Sequence, residues 1–164
     1  MSDDGPNAAS RSASGRVAGV DYGTVRIGIA VSDPSRIIAS PLENYTRQSL
    51  DQDADRFRRL VAEEEVSLFV VGLPIHTDGR ESEKSKEARQ FAKWLHQETN
   101  IDVELFDERF TSAAAATLMT DAQLPRKKRK GRMDMLAAQI LLSAYLEAGC
   151  PSGRHDQNQP LEDD

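Results

Sequence analysis

The sequence predicts an α/β fold, a mixed sheet flanked by helices, on three observations. Two short β-rich runs meet at a glycine-containing turn, a nearly continuous apolar run follows, and amphipathic helical stripes then alternate with extended runs. Taken in order, residues 17–22 (VAGVDY) and 27–31 (IGIAV) flank Gly23 and predict a hairpin. A third extended run, 37–42 (IIASPL), follows the turn at Asp33-Pro34, and its Pro41 suggests an edge or a strand end. Ala54, Phe57, Leu60 and Val61 recur at helical spacing. Residues 66–72 (VSLFVVG) read as a strand covered on both faces. Ala88, Phe91, Ala92 and Leu95 mark a second helix, and 101–106 (IDVELF) a further strand. Thr111 is suited to cap an Ala-rich helix after it. The last helix carries the stripe Met133, Leu136, Ala137, Ile140, Leu141, Ala144 and Ala148.

The chain of 164 residues suits one domain with a real core. Residues 1–15, rich in Ser, Ala and Gly, are expected to be a disordered tail, and 150–164, with Pro and terminal acids, another. The folded unit is then 16–149. The N-terminus has acids at Asp3 and Asp4 and no apolar stretch, unlike a signal peptide, and no run is long enough for a membrane span. The single Cys150 excludes an internal disulfide and fits a cytoplasmic setting. His76, His96 and His155 lie too far apart for a structural zinc site.

A net charge of −6 argues at first against a nucleic-acid partner. Its distribution argues otherwise. The N-terminal tail carries −1 and the C-terminal tail −3, leaving −2 for the folded unit. That unit contains the run Arg126-Lys127-Lys128-Arg129-Lys130-Gly131-Arg132, and local potential steers a polyanion more effectively than the total. The run reads either as a solvated, mobile loop, too densely charged to order readily alone, or as a contact for phosphate. Aromatic residues are too few, and not interleaved with the cations, to form a base-stacking platform.

Three carboxylates are candidates for chemistry. Asp21 sits where an apolar strand meets a turn, a costly place for a carboxylate without a partner or metal; alone it could equally be a turn aspartate bonding its own backbone. Glu108 directly follows a strand, where functional groups collect in α/β sheets, although a surface ion pair with Arg109 would explain it too. Asp134 falls in the first turn of the last helix, favoured there by the macrodipole alone. It aligns with Ala138, Leu141 and Tyr145, however, so it borders the buried face. Two acids at strand ends and one on a helix suit hard cations, Mg²⁺ or Mn²⁺, and a two-metal phosphodiester site. The loop 72–79 (GLPIHTDG) lacks a P-loop ending, so ATP binding is not expected; Asp78-Gly79 reads as a turn, and His76 could assist proton transfer or touch substrate.

Four motifs in order then carry a resemblance: Val20-Asp21-Tyr22-Gly23-Thr24 with Arg26-Ile27-Gly28; Val70-Val71-Gly72-Leu73-Pro74 with Asp78-Gly79; Asp107-Glu108-Arg109 with Thr111; and Lys130-Gly131-Arg132-Met133-Asp134 with Ala137-Ala138. Together they resemble the YqgF family, also called RuvX, of pre-16S rRNA nucleases or Holliday junction resolvases. The resemblance implies an RNase H-like fold with a central five-stranded mixed sheet, and Asp21, Glu108 and Asp134 as the metal-holding catalytic acids. Asp107 ranks lower, as a neighbouring ligand or structural acid. Arg26, His76, Arg109, Arg126, Lys127, Lys128, Arg129, Lys130 and Arg132 are the expected substrate contacts. The family role is trimming the 5′ end of pre-16S rRNA. The alternatives are a resolvase of four-way DNA junctions, which needs a dimer, and a non-catalytic RNA-binding assembly factor. Monomer and homodimer both remain open.

Overall fold

A computed structural model describes residues 15–76, 78–111 and 126–149, with 126–134 described by backbone only. The elements run β1 (Arg16–Asp21), β2 (Arg26–Ser32), β3 (Ala39–Thr46), α1 (Leu50–Glu64), β4 (Val66–Leu73), α2 (Glu83–Thr99), β5 (Asp102–Asp107), a 3₁₀ turn (Glu108–Thr111) and α3 (Arg126–Glu147). The five strands form one sheet in the order β3-β2-β1-β4-β5. The first three pair as an antiparallel meander, whereas β4 and β5 join in parallel. The mixed sheet expected from the pattern is therefore present. Residues 1–14 and 150–164 of the two expected tails, and the Ala-rich helix expected after Thr111, lie outside the described residues; Gly15 is described, and its carbonyl accepts from Arg36 Nε at 3.1 Å.

Alternation along the central strands divides the core in two. On one face Ala18, Val20, Phe69 and Val71 pack with Phe57 and Leu60 of α1 and Phe91 and Leu95 of α2. On the other, Val17, Leu68 and Val70 pack with Ala138, Leu141, Leu142 and Tyr145 of α3. Strands covered on both sides have few polar positions to spare, which explains the apolar run of β4, broken only by the half-buried Ser67 near its start. Helix α3 lies directly on β1. A Cβ added at Gly19 would come 2.8 Å from the Leu142 Cβ and 3.1 Å from the Ala138 carbonyl oxygen.

The structure corrects three expectations. The third strand begins at Ala39 rather than at 37, because the Asp33 carboxylate accepts the backbone N–H groups of Ile37 and Ile38 at 2.7 and 2.8 Å. Those two isoleucines are consequently loop residues, 73% and 63% exposed. Pro41 does mark an edge strand, at an irregularity in the β2–β3 register. Second, the basic run is helical backbone: α3 begins at Arg126. Lysine and arginine are good helix formers, and Pro125 immediately before is compatible with a helix start. Third, among the described side chains of α3 the buried ones are Ala138, Leu141, Leu142, Ala144 and Tyr145, so from Leu136 onward the face is rotated from the stripe expected. Tyr145 contacts Phe106 edge-on and donates to Glu104 at 2.6 Å, drawing that rotation toward β5. Thr111 belongs to the 3₁₀ turn, where its hydroxyl donates to the Glu108 carbonyl at 2.6 Å.

Between β3 and α1 the chain buries a carboxylate. Ser49 caps α1 in a box with Gln52, and Asp53 in the first turn is 1% exposed. Asp53 accepts from the Tyr45 hydroxyl at 2.7 Å, the Gln48 N–H at 2.9 Å and Arg47 Nε at 3.3 Å. Burial works against this carboxylate, but those bonds outweigh it and hold its pKa below the usual value. The Tyr45 hydroxyl is pushed up to about 12, first by burial and then by its bond to Asp53, and stays a donor. A depressed native pKa stabilises the fold above the unfolded-state value near ~3.9 and loses that contribution as pH falls through the native value. Asp53→Asn is therefore expected to cost about 1.5–3 kcal/mol at neutral pH, and less as the solution is acidified below the unfolded pKa. Urea unfolding of both proteins across that range measures the narrowing gap.

Candidate active site

Asp21 ends β1, and Glu108 is the first residue after β5. In the parallel register Val20 lies beside Val71, and Gly72 beside Phe106, so the ends of β1, β4 and β5 come together. Strand alternation puts Asp21 on the face of Val17 and Gly19, and Gly72 on that of Leu68 and Val70, which is the α3 face. The Glu108 carboxyl lies over Gly72. A Cβ at that glycine would stand 2.6 Å from Glu108 Oε1 and 3.3 Å from its Cδ. Continuing the β1–β4 register by one residue sets Asp21 beside Gly72, at the ~4.8 Å spacing of neighbouring strands. Two of the three candidate acids thus share one end and one face of the sheet.

The third, Asp134, is in α3 by backbone, and its side chain lies outside the described residues, as do those of Arg126, Lys127, Lys128, Arg129, Lys130 and Arg132. Among the described residues no group of three His, Cys, Asp or Glu side chains forms a metal cluster.

Electrostatics separates Glu108 from its neighbour. Burial pushes the Glu108 carboxyl up from its ordinary value and the adjacent Asp107 carboxylate adds to this, while Lys84 works the other way. Asp107 is also penalised by burial, yet Arg109 reverses the sign. The Arg109 N–H donates to Asp107 Oδ1 at 2.9 Å, and its Nε and Nη2 donate to Oδ2 at 2.8 and 2.6 Å, holding the Asp107 pKa low. The simple alternative for Glu108, an ion pair with Arg109, is therefore not what forms: Arg109 is taken by Asp107. Lys84, in the first turn of α2, was not expected here; no local sequence signal links it to a strand end twenty-four residues on.

Arg26 opens β2 and is exposed. His76 is exposed beyond β4, in a loop closed by its N–H on the Arg80 carbonyl at 3.1 Å and by Gly79 N–H on its own carbonyl at 2.8 Å. With Asp78, Arg80 and Glu81 it lines a groove of about 400 Å³. Asp78 accepts from the Arg80 N–H at 3.0 Å and Nε at 2.6 Å, so Asp78-Gly79 is a turn as expected. His96 is exposed on α2 and places Nδ1 2.8 Å from the Ile101 carbonyl oxygen, which ties α2 to the start of β5.

Residues 15–148 match the family RuvX, described as Holliday junction resolvase. The chain belongs to the RuvX family. It is 52% identical over 136 residues to a protein of Rhodopirellula baltica named "Putative pre-16S rRNA nuclease", covering 83% of this chain and 79% of that one. A protein of the same name from Koribacter versatilis is 39% identical over 133 residues, covering 81% and 87%. Among solved structures, RuvC of T. thermophilus in complex with a Holliday junction substrate superposes with a TM-score of 0.53 at 15% identity, covering 82% of this chain and 96% of that one. At that identity the likeness speaks to the fold, which is RNase H-like. Family and relatives are alike described as nucleases, and this RuvX-family chain is an enzyme of that hydrolytic class.

The approach of Glu108 to Gly72 separates activity from stability. Gly72→Ala displaces only the flexible end of Glu108, so the unfolding free energy should change by no more than about 1 kcal/mol. Cleavage should fall at least about tenfold, since a misplacement of about 1 Å is costly to catalysis. Thermal melts beside single-turnover cleavage assays measure the two effects.

Proposed function

We propose that this RuvX-family chain is a metal-dependent endonuclease that processes the 5′ end of pre-16S rRNA in the cytoplasm, with Asp21, Glu108 and Asp134 as its acidic site. The observation that carries this reading is the Glu108 carboxyl lying over Gly72, beside the end of β1, under a burial penalty that pushes its pKa up. No hydrogen bond satisfies that carboxyl among the described residues, in contrast to Asp53 and Asp107. Oxygen donors under such a penalty fit a hard divalent cation, Mg²⁺ or Mn²⁺, whose charge would offset both the desolvation and the repulsion from Asp107. The helical repeat supports Asp134 as the third member, because position 134 falls in the row of Ala138, Leu141 and Tyr145 that meets the sheet.

Asp21, Glu108 and Asp134 would hold the ions. When bound, divalent ions in such a site make water a better nucleophile and balance charge on the scissile phosphate and the leaving oxygen. The protein's own part is orientation and charge. Asp21 approaches from the strand end and Glu108 from the 3₁₀ turn. The cations Arg26, His76 (when protonated), Arg126, Lys127, Lys128, Arg129, Lys130 and Arg132 supply the field that attracts and orients the phosphate backbone. Arg109 serves that field less directly, because its guanidinium is engaged by Asp107. No described helix is long and apolar enough to cross a membrane.

The family description favours a second reading, a resolvase acting on four-way DNA junctions as a homodimer. Purified protein incubated with a labelled pre-rRNA 5′ leader and, separately, a four-way junction distinguishes the two. Cleavage confined to the junction, by a dimer, would overturn the rRNA assignment. RNA binding with no cleavage in Mg²⁺ or Mn²⁺ would leave a non-catalytic assembly factor.

Asp21→Asn and Glu108→Gln should each lower turnover by at least about a hundredfold while leaving the circular dichroism spectrum unchanged. Wild-type cleavage by either would remove that residue from the site. Replacing Arg126 to Lys130 with glutamine should weaken RNA binding and flatten its dependence on log salt, by up to about 0.7–0.9 in slope for each phosphate that is no longer neutralised. Filter binding across a salt series gives the slope, and an unchanged slope argues that the run does not touch phosphate.

A further inference from the structure

Tyr22 directly follows Asp21, and successive side chains leave a strand on opposite faces. The Asp21 side faces α3. The Tyr22 ring packs into the opposite core, its centroid 4.7 Å from that of Phe91. Arg47, from the connection between β3 and α1, reaches this tyrosine twice. Its Nη1 donates to the Tyr22 hydroxyl at 3.1 Å, and its guanidinium carbon lies 5.4 Å from the ring centroid. The same residue donates its backbone N–H to the Val25 carbonyl at 2.9 Å. One arginine therefore grips the β1–β2 turn where it begins and where it ends. Behind it stands Asp53, which accepts Arg47 Nε and is itself fixed by Tyr45 and Gln48.

Stability alone is a poor reason for this arrangement. A buried ion pair seldom outperforms apolar residues of the same volume, because desolvation cancels much of its attraction. A guanidinium does what an apolar side chain cannot: its fixed fork joins a buried carboxylate to a phenol in one geometry. We propose that Arg47, anchored by Asp53, is a positioning residue that acts through Tyr22 to fix the end of β1, and so the direction of the Asp21 carboxylate. This rests on the acidic site proposed above. Catalytic constellations need their groups held to within about 0.5 Å, and a residue at the mouth of a turn keeps that precision only if the turn is held.

The test uses the full chain and two measurements: steady-state cleavage of the pre-rRNA leader, and calorimetric titration with Mn²⁺ in the absence of nucleic acid. Arg47→Met should lower kcat about 10–100-fold with KM changed by no more than about twofold, and should weaken Mn²⁺ binding by a similar 10–100-fold. Tyr22→Phe keeps the ring and its packing and loses only the hydroxyl, so it should shift both quantities in the same direction by a smaller factor; it also serves if Arg47→Met folds poorly. Arg47→Lys should recover part of the Mn²⁺ affinity. Arg56→Met, which breaks a pair with Glu43 away from the turn, should leave both quantities at wild type. Wild-type kcat and Mn²⁺ affinity in both Arg47→Met and Tyr22→Phe, alongside an inactive Asp21→Asn, would overturn the clamp alone. Full activity in Asp21→Asn would overturn the site, and the clamp with it.

Discussion

Two neighbouring strands leave out a side chain on the same face of the sheet, and the arrangement of the enzyme depends on both omissions. At Gly19 the missing Cβ admits the backbone of α3 at Ala138 and the side chain of Leu142. At Gly72 it admits the Glu108 carboxyl. The first closes the core; the second makes room for charge at its rim. Close packing tolerates little displacement, so a helix seated at position 19 has a set height and direction over β1. The rest of the helix inherits that placement.

Three carboxylates near the sheet show how surroundings decide what an acid is for. Asp53 and Asp107 both lose hydration, and both recover it through hydrogen bonds from an arginine and backbone N–H groups, so both are held ionised. Glu108 loses hydration without such compensation and is shifted the other way. A structural acid is satisfied by its own fold. An acid left under a burial penalty at a strand end is suited to an external cation. Asp107 lies one residue from Glu108, and Arg109 one residue on the other side; that pairing is what keeps Asp107 occupied while leaving the Glu108 carboxyl available.

Much of the fold was legible because its strands and helices alternate in hydrophobic period. The meander, the doubly covered β4 and the helices α1 and α2 all follow from spacing. The errors came where a local competitor or a distant partner intervened. Ile37 and Ile38 look like strand residues, but the Asp33 carboxylate captures their N–H groups. The stripe on α3 was misphased because Ala, Leu, Ile and Tyr crowd both sides of that helix, and only packing against Gly19, Phe106 and Glu104 selects the buried row. The basic run looked too charged to order, yet its residues are good helix formers adjoining a helix that the core holds in place.

By itself, the sequence determined the fold class and the family, and it pointed to candidate acids: two at strand ends and a third on the last helix, close to a basic run. These are properties of residue type, period and motif order, which need no coordinates. Tertiary structure alone decided which acids are already satisfied and which is not. It set Glu108 over Gly72, gave Arg109 to Asp107, and brought Arg47 and Asp53 behind the turn that carries Asp21. Except for the local Arg109–Asp107 pair, those relations join residues tens of positions apart through distances of a few ångströms, and hydration and hydrogen bonding act on distance, whatever the order along the chain.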